Sequence, residues 1–540
     1  MLKRLQLSDW LMGGILLALI FIGLNTYKDY GISWDEEVSR RNGLISLKYV
    51  LSFFSIFPDT QANLSQYSDL FSYKDRDYPV LFEIILAITE QIYRFDSPKE
   101  VFEFRHLATY ICWLTGVFFI YLTARKIFYR NIYILFSVLF YILQPRLYGE
   151  AYYNDKDIVF MSFFAISTWA CVNLINNPTH RTAAIAGICA ALAINVRIMA
   201  VVIPFLLIFQ LAAIGLLSRK FFNHTKLSLT FLATCAAITY ILWPYLWLHP
   251  IDHFSEAFSN MAHFRWNGAY KFNGVQIPAA ETPEIYGPVW ILITTPLVIV
   301  SFALLGGGLT SYEATRSFLK STLRTENFIN LFLLSVPLSS LLAVAILHSI
   351  LYDGWRQLYF VYPSIALLSG IGFFYVDQFL SQNAMARGAV RAVVAFSFLL
   401  LCHWMYVAHP LQNVFFNSLT KAETRPNNWE IDYWGLANKL ALKHILSIDD
   451  SRSIKVGTGS ATPAPRSALM LPQTERNRLD FQKDACDATY IINSFRAVFD
   501  VKIDQYAQSY RLIWQKTIGD MPVIRIYQRN EDVDAPCPFR

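Results

Sequence analysis

Three consecutive carboxylates directly follow a tryptophan near the start of the chain, in the segment Gly31-Ile32-Ser33-Trp34-Asp35-Glu36-Glu37. A carboxylate acts as a general base when burial and neighbouring charges adjust its pKa, so this segment is a candidate for proton transfer. It follows the first long apolar run and therefore lies where that run would leave a membrane. The alternative interpretation is a solvated loop with an interfacial tryptophan, a common feature at the ends of membrane helices.

Further polar clusters lie beside other apolar runs. They are Asn154 to Asp157, Asn195 to Arg197, the loop over residues 245–287, and Tyr352 to Arg356. The first cluster contains Asn154, Asp155 and Asp157, and the last contains Tyr352 and Asp353. For Asn154 and Asp155 the alternative role is capping of the helix that follows.

Three arginines lie where a lipid phosphate would be found, near the expected membrane surface. They are Arg105, Arg197 and Arg356. A guanidinium can hold a phosphate through two parallel hydrogen bonds, so all three are candidate phosphate ligands. For each of them, the alternative is snorkelling toward the head groups of ordinary lipids.

The composition indicates a membrane protein. Of the 540 residues, 54% are hydrophobic and only 16% are charged, with a mean hydropathy of +0.34. Soluble proteins carry about 25% charged residues, and several runs here approach the roughly 20 apolar residues that cross a bilayer. The net charge of +6 is modest and lies largely in short loops, which indicates membrane orientation and not nucleic-acid binding.

The apolar runs predict about eleven membrane spans. Lys3 and Arg4 precede the first run, which lacks a cleavage site, so the N-terminus is expected in the cytoplasm. The run over residues 183–217 would be about 52 Å long as one helix, against a hydrocarbon core of about 30 Å, so we expect a break at 195–197. The predicted spans are residues 11–26, 107–123, 133–143, 158–175, two within 183–217, 227–248, 289–305, 328–347, 358–376 and 389–408.

Two domains are expected. Residues 1–408 form a transmembrane domain, in which residues 27–105 are a first outer loop with interfacial helices at 44–57 and 78–95, and residues 249–288 are another outer loop. Residues 409–540 form an extracytoplasmic α/β domain, with a helix at 435–448 and strands at 454–456, 488–495, 510–518 and 522–529, the last two joined by a hairpin turn. A disulfide between Cys486 and Cys537 is expected in an oxidising compartment.

The predicted topology places all the polar clusters on the outer side, whereas the inner loops contain ordinary lysines and arginines. A reaction site on the outer face explains this asymmetry better than a set of unrelated solvated loops. Asp35 and Asp155 could together hold a divalent cation, although their spacing does not demand one. No pair of cysteines has metal-ligand spacing.

The order of these motifs resembles the GT-C glycosyltransferases, the superfamily that contains the protein O-mannosyltransferases and the aminoarabinose transferases that modify lipid A. The acidic pair Asp35-Glu36 after the first span is similar to the catalytic motif of that superfamily. Arg105-His106 is similar to its essential arginine, and Tyr153-Asn154-Asp155-Lys156-Asp157 to its second acidic motif. The segments around Trp243, Tyr286, Tyr352 and Asp432 resemble a bacterial branch classed as family-39-type. Tyr78-Pro79-Val80 departs from the His-Pro-Pro of many relatives.

The resemblance implies an all-α polytopic membrane protein of the GT-C type, with about eleven transmembrane helices and a small C-terminal α/β domain on the outer face. It implies an enzyme of the plasma membrane that moves a hexose or pentose from a polyprenyl-phosphate donor to an acceptor hydroxyl, with inversion. Its acceptor would be a glycan, a lipid or a protein.

The same resemblance implies roles for individual residues. Asp35 would act as the base and Glu36 would tune it or position the acceptor. Arg105 would bind the donor phosphate, with Arg197 and Arg356 as secondary ligands. The expected sugar or acceptor contacts are Asn154, Asp155, Asp157, His106, Tyr352 and Asp353. No cofactor is expected to be required, and a divalent cation stays open.

Two other classes of protein are compatible with a polytopic chain. A transporter or flippase for a lipid-linked saccharide would also need charged residues at the membrane, but transporters tend to show repeats and midplane charges, and neither is evident. A structural or receptor-like protein would leave the clustered polar loops unexplained. The sequence contains no P-loop or dinucleotide fingerprint.

Overall fold

The computed structural model describes residues 6–54, 58–262, 264–496 and 509–530. The described α-helices are, in chain order, α1 (Leu7–Thr26), α2 (Glu36–Leu51), α3 (Pro58–Leu64), α4 (Leu81–Tyr93), α5 (Pro98–Ile127), α6 (Asn131–Ile142), α7 (Pro145–Glu150), α8 (Asp157–Asn176), α9 (His180–Ile194), α10 (Val202–Leu217), α11 (Phe221–Leu242), α12 (Pro250–Ala262), α13 (Tyr286–Thr294), α14 (Leu297–Leu319), α15 (Thr325–Ile346), α16 (Tyr362–Phe379), α17 (Ala384–Val407), α18 (Arg425–Asn428), α19 (Asn438–Ile448), α20 (Ala464–Ser467) and α21 (Gln473–Arg476). The strands are β1 (Ala269–Phe272), β2 (Val275–Pro278), β3 (Ile454–Thr458), β4 (Leu479–Phe481), β5 (Tyr490–Asn493), β6 (Tyr510–Ile518) and β7 (Met521–Arg529).

Nine helical segments within the described residues are long and apolar enough to cross a membrane. They contain α1, α5, α8, α10, α11, α14, α15, α16 and α17, and the shorter apolar helices α6 and α9 fall on two further predicted spans. The predicted polytopic helical fold is therefore confirmed, with a helix count close to the expected eleven. The chain also breaks where the length argument required it, because α9 ends at Ile194 and the next helical turn begins at Ile198.

One predicted span is divided in the structure. Instead of a single helix over residues 289–305, α13 ends at Thr294 and α14 begins at Leu297. Pro296 explains the break, because the residue before a proline is driven out of the helical region, and Thr295 is extended at φ −100° and ψ 136°.

The helices of the first outer loop pack against each other. Leu44, Leu47 and Leu51 of α2 form a small core with Leu64 and with Ala87 of α4. Neither α2 nor α4 has the length of a span, whereas α4 exposes several apolar side chains, Ile85, Ile88 and Ile92. This pair of helices places the start of α2, and with it the acidic segment, beside the membrane helices.

The beginning of α5 is fixed by its sequence. Pro98 occupies the first helical turn and the Ser97 side chain accepts a hydrogen bond from the backbone N–H of Glu100 at 3.3 Å, an arrangement that stabilises a helix start. Arg105 and His106 consequently lie in the second and third turns of α5. This end of α5 meets the segment before α8, where Arg105 contacts Asp155.

The C-terminal domain contains the predicted small sheet, with strand order β4-β3-β5-β7-β6. Strand β3 is parallel to β4 and β5, and β7 is antiparallel to β5 and β6. The hairpin between β6 and β7 was predicted from its turn residues, whereas the short strand β4 was not predicted. The helix expected at 435–448 begins at Asn438, because Gly435 adopts φ +78° and is not helical.

This domain packs directly on the acidic segment. The Nζ of Lys439 in α19 donates to the backbone carbonyls of Lys28 at 2.6 Å and Tyr30 at 2.9 Å. A Cβ at Gly31 would lie 2.7 Å from the carbonyl oxygen of Leu436, so only glycine permits this approach. The C-terminal domain therefore fixes the chain between α1 and Asp35.

Candidate active site

Asp35 stands at the start of α2, where it faces an arginine from a distant part of the chain. Its Oδ2 accepts a hydrogen bond from Nη1 of Arg356 at 2.7 Å. Burial alone would raise the pKa of Asp35, but the positive charges of Arg356 and Lys156 outweigh burial and hold that pKa below its ordinary value. Asp35 is therefore ionised at neutral pH and able to accept a proton.

Arg356 joins the acidic segment to the start of α8. It is buried in the turn that leads into α16, and its Nη1 lies 3.6 Å from Oδ2 of Asp157 as well as close to Asp35. Its guanidinium carbon lies 4.8 Å from the ring centroid of Tyr352 and 4.7 Å from that of Trp434. These rings on the guanidinium provide cation–π attraction and fix its orientation.

Arg197 contacts the same carboxylate from the break after α9. Its Nη1 lies 2.9 Å from Oδ1 of Asp157. Asn154 holds the start of α8, because its Oδ1 accepts from the backbone N–H of Asp157 at 2.8 Å and its Nδ2 donates to Glu150 at 2.8 Å. The capping role considered for Asn154 is therefore present in the structure.

Arg105 is completely buried between two carboxylates. Its Nη2 contacts Oε2 of Glu83 and lies 2.6 Å from Oδ2 of Asp155. Only 2% of its side chain is exposed, and it does not line the cavity described below. The role of Arg105 as a ligand of the donor phosphate stays a prediction, and its observed partners are Glu83 and Asp155.

Glu36 points away from Asp35 toward the inside of the bundle. Its Oε1 lies 2.9 Å from Nε2 of His106, and its Oε2 accepts from the backbone N–H of Ser33 at 2.7 Å. Burial raises the pKa of Glu36, and the neighbouring His106 opposes that rise. This pair ties α2 to α5, so both residues lie behind the site and not on the cavity wall.

The consecutive residues Tyr352 and Asp353 contact different parts of the structure. Tyr352 lines the cavity and stacks on Trp266 with ring centroids 4.3 Å apart. Asp353 instead accepts two hydrogen bonds from Arg496 of the C-terminal domain at 2.8 and 3.1 Å. Burial raises the pKa of Asp353, and the positive charge of Arg496 opposes that rise.

A cavity with about 960 Å³ of empty volume lies beside Asp35. Its polar wall includes Lys156 and Arg197 as well as Asp35, whereas its apolar wall is formed mainly by aliphatic side chains, among them Ile198, Met199, Val344, Ile350 and Leu351. Pockets with few polar groups and largely apolar walls are typical of sites for small molecules. The combination suits a ligand with an anionic head and an apolar chain.

Lys156 lines the cavity but was not among the predicted site residues. The neighbouring carboxylates of Asp155 and Asp157 contact arginines, and Lys156 makes no ion pair with any described residue. Its Nζ lies 4.7 Å from the ring centroid of Tyr78, and both residues line the cavity. The one signal in the sequence was the departure from His-Pro-Pro at Tyr78, because the ring of Tyr78 is the one that Lys156 contacts.

A second group that was missed crosses the outer loops. Both carboxylate oxygens of Asp77 accept hydrogen bonds at 2.8 Å, one from Asn260 and the other from Arg265. These three residues line the cavity at the side formed by α12. They join the first outer loop to the loop over residues 249–288, and nothing in their spacing along the chain indicates this contact.

Two further expectations concern metals and a disulfide. Within the described ranges no group of three or more His, Cys, Asp or Glu side chains is arranged to hold a metal ion. Cys486 is buried, but Cys537 lies outside the described residues, so the disulfide between them stays a prediction.

Comparison with known proteins agrees with the predicted superfamily. Residues 77–243 match the family of dolichyl-phosphate-mannose-protein mannosyltransferases, whereas no curated protein is significantly similar to the chain in sequence. The apo oligosaccharyltransferase of Archaeoglobus fulgidus is 11% identical with a TM-score of 0.50, over 88% of this chain and 65% of that protein. The chain thus spans less than two thirds of that protein.

Two other solved structures are similar over nearly the whole chain. ArnT from Cupriavidus metallidurans bound to undecaprenyl phosphate is 10% identical with a TM-score of 0.46, over 98% of this chain and 100% of that protein. AglB from Archaeoglobus fulgidus, in complex with an inhibitory peptide and a dolichol-phosphate, is 10% identical with a TM-score of 0.47, over 98% and 75%.

The family match covers the part of the chain that contributes Glu83, Arg105, Asp155 and Arg197 to the site. The fold over 88% of this chain is similar to that of the archaeal oligosaccharyltransferase. The partial family match and the shared fold agree with the resemblance to GT-C glycosyltransferases that the sequence motifs indicate.

Proposed function

We propose that this protein transfers a sugar from a polyprenyl-phosphate carrier to an acceptor hydroxyl on the extracytoplasmic side of the plasma membrane. The observation that carries the proposal is that the ionised carboxylate of Asp35 and the ammonium of Lys156, which has no ion-pair partner among the described residues, line one cavity with apolar walls. A base, a cation for a phosphate and a surface for a lipid chain are the three elements that this reaction needs.

The reaction would proceed by a single displacement. The acceptor oxygen attacks the anomeric carbon while Asp35 takes the hydroxyl proton, and the bond from that carbon to the phosphate oxygen breaks. The polyprenyl phosphate leaves with the bonding electron pair, and the positive charges of Lys156 and Arg197 stabilise its new negative charge. Because attack and departure occur on opposite faces, the configuration at the anomeric carbon inverts.

Arg356 would act on the base and not on the phosphate. Its guanidinium already binds Asp35 and lies over Tyr352 and Trp434, so it keeps the carboxylate ionised and oriented toward the acceptor. Preorganised charge of this kind needs no rearrangement during the reaction. We expect Tyr352, on the cavity wall, to contact the acceptor or the sugar.

The lipid part of the donor would lie along the aliphatic wall that includes Met199, Val344 and Leu351. A donor that enters from the bilayer requires no nucleotide site. We also expect no metal requirement, because both candidate carboxylates already have a positively charged partner. Oδ2 of Asp35 lies 2.7 Å from Arg356, and Oδ2 of Asp155 lies 2.6 Å from Arg105. Full activity after dialysis against a chelator is the expected result.

The test is transfer by purified protein from an undecaprenyl-phosphate-linked hexose or pentose, with products identified by mass spectrometry. Asp35→Asn removes the base while keeping its size, and we expect turnover to fall at least a hundredfold. Asp59→Asn, at an exposed position of the same loop, is the matched control and should be normal. Normal turnover of folded Asp35→Asn would contradict the base role, and movement of donor across a vesicle membrane without any product would instead indicate a flippase.

A further inference from the structure

A buried carboxylate that the proposed reaction does not use lies behind the site. Glu150, the last residue of α7, is completely buried. Its Oε1 accepts hydrogen bonds from the hydroxyls of Tyr359 at 2.8 Å and Tyr433 at 3.0 Å, and its Oε2 accepts from Nδ2 of Asn154 at 2.8 Å. The two tyrosines lie 209 and 283 residues further along the chain, so this side chain joins segments that are distant in the sequence.

Both tyrosines lie beside Arg356, the arginine that binds the proposed base. Tyr359 belongs to the helical turn Arg356–Val361. Tyr433 directly precedes Trp434, whose ring centroid lies 4.7 Å from the guanidinium carbon of Arg356. One carboxylate therefore holds both the turn that carries Arg356 and the segment whose ring covers its guanidinium.

Asn154 links the same carboxylate to the start of α8. Its Oδ1 accepts from the backbone N–H of Asp157 at 2.8 Å, and its Nδ2 also lies 3.2 Å from Oδ2 of Asp157. Oδ2 of Asp157 in turn lies 3.6 Å from Nη1 of Arg356. The third hydrogen bond of Glu150 thus leads to the same guanidinium by a separate route.

A carboxylate is the group that satisfies these three donors together. Burial raises the pKa of Glu150, and the positive charge of Arg146 on the same short helix opposes that rise. An ionised Glu accepts through both oxygens, whereas Gln has one oxygen and an amide that donates. A Gln that kept Asn154 would turn its amide nitrogen toward the two tyrosine hydroxyls, and one of these would lose its acceptor. Because a buried hydroxyl without an acceptor is unfavourable, the tyrosines would shift.

We propose that Glu150 is a positioning residue for the transfer reaction, which holds Arg356 in place and through it orients the carboxylate of Asp35. This inference rests on the proposed function. Glu150 does not line the cavity beside Asp35, so it acts through its neighbours and does not touch the substrates. Its loss should lower turnover and leave binding of the donor phosphate at Lys156 and Arg197 unchanged.

The test is a double-mutant cycle on transfer from undecaprenyl phosphate that carries a hexose or a pentose, with the donor that the wild type uses. Glu150→Gln should lower kcat about tenfold and leave the donor KM within about twofold, because a small displacement of a catalytic group costs rate. In an Arg356→Met background the same change should cost less than about twofold, because residues that act through one another are not additive. A tenfold loss in both backgrounds, or no loss in the wild type, would overturn the inference.

Tyr433→Phe tests the same route without changing the charge. It removes one donor to Glu150, and we expect kcat to fall about threefold, the effect of one lost hydrogen bond, and to be unchanged in the Arg356→Met background. If Glu150→Gln does not fold, this second cycle decides alone, and equal losses in both backgrounds would contradict the proposal.

Asp377→Asn is the matched control. Asp377 is also buried and accepts from a tyrosine hydroxyl, that of Tyr133, but it lies at the other end of α16. We expect a normal kcat per folded protein; a loss as large as that of Glu150→Gln would show that removal of any buried carboxylate slows turnover, and would overturn the inference. Failure of the proposed function has a different signature, because wild-type protein would then form no product from either donor.

Discussion

The guanidinium of Arg466, in the C-terminal domain, donates a hydrogen bond at 2.6 Å to the backbone carbonyl of Trp34, the residue directly before Asp35. The same side chain lies 3.1 Å from the carboxylate of Glu37 and over the ring of Trp34. One arginine thus holds the chain on both sides of the proposed base.

Replacement of Arg466 should therefore impair turnover more than donor binding. We expect Arg466→Ala to lower kcat at least tenfold with little change in the donor KM, because a small displacement of a catalytic group costs rate. Arg466→Lys, which keeps a donor, should recover part of the loss. Arg452→Ala, at an exposed position in the same domain, provides the control, and a parallel loss of activity in that variant would contradict a specific effect.

The pH dependence of the reaction should respond to Arg356. In the wild type its charge favours ionised Asp35 and keeps the pKa of this carboxyl low, so activity should persist on acidification below the usual carboxylate range. Arg356→Met removes that charge, the pKa of Asp35 rises, and the acid limb of kcat/KM should move to higher pH. The measurement is a pH profile of each protein normalised to its own maximum; superimposable acid limbs would argue against the coupling.

Lys156 should contribute to binding of the donor phosphate. A hydrogen bond to a charged group contributes about 1.5–3 kcal/mol, so Lys156→Ala should raise the donor KM by roughly 10- to 100-fold. Lys156→Arg keeps the charge and should remain much closer to the wild type. Lys126→Ala, on an exposed side chain at the other end of α5, is the control. A donor KM unaffected by loss of Lys156 would move the phosphate to another part of the cavity.

The predicted sidedness can be checked with membrane-impermeant maleimides. Thr322 follows α14 at the end of the bundle away from Asp35, and Asp450 follows α19 in the C-terminal domain. In intact cells of a strain that carries Cys402→Ser, we expect Asp450→Cys to be labelled and Thr322→Cys to be labelled only after lysis. Labelling in the opposite order would invert the orientation and refute an extracytoplasmic site.

The membrane helices could be predicted because length and hydropathy are local properties of the sequence. The run ending at Thr26 and the break before Arg197 both follow from the thickness of a bilayer. The division at Pro296 was missed although the proline is visible, since prolines are tolerated in membrane helices when neighbours satisfy the backbone. Pro337 inside α15 is an example of such tolerance.

The site was only partly predictable for a different reason. The expected sidedness placed Asp35, Asp155 and Arg356 on one face, and in the structure their segments do meet. The partners of each charge come from distant segments, however, and no single sequence shows that Arg105 would pair with Asp155 while Lys156 has no ion-pair partner in the part of the chain that the structure describes. Glu83 was not predicted as part of the site because it lies in an amphipathic helix, where a carboxylate on the polar face is common.

The apolar side chains of the C-terminal strands and those of the membrane helices form one continuous core, which includes Val456 and Ile524 together with Val117 and Phe164. The C-terminal domain is consequently not interchangeable between proteins. Transferred to another helix bundle, it would leave its own apolar face and that of the bundle exposed to water.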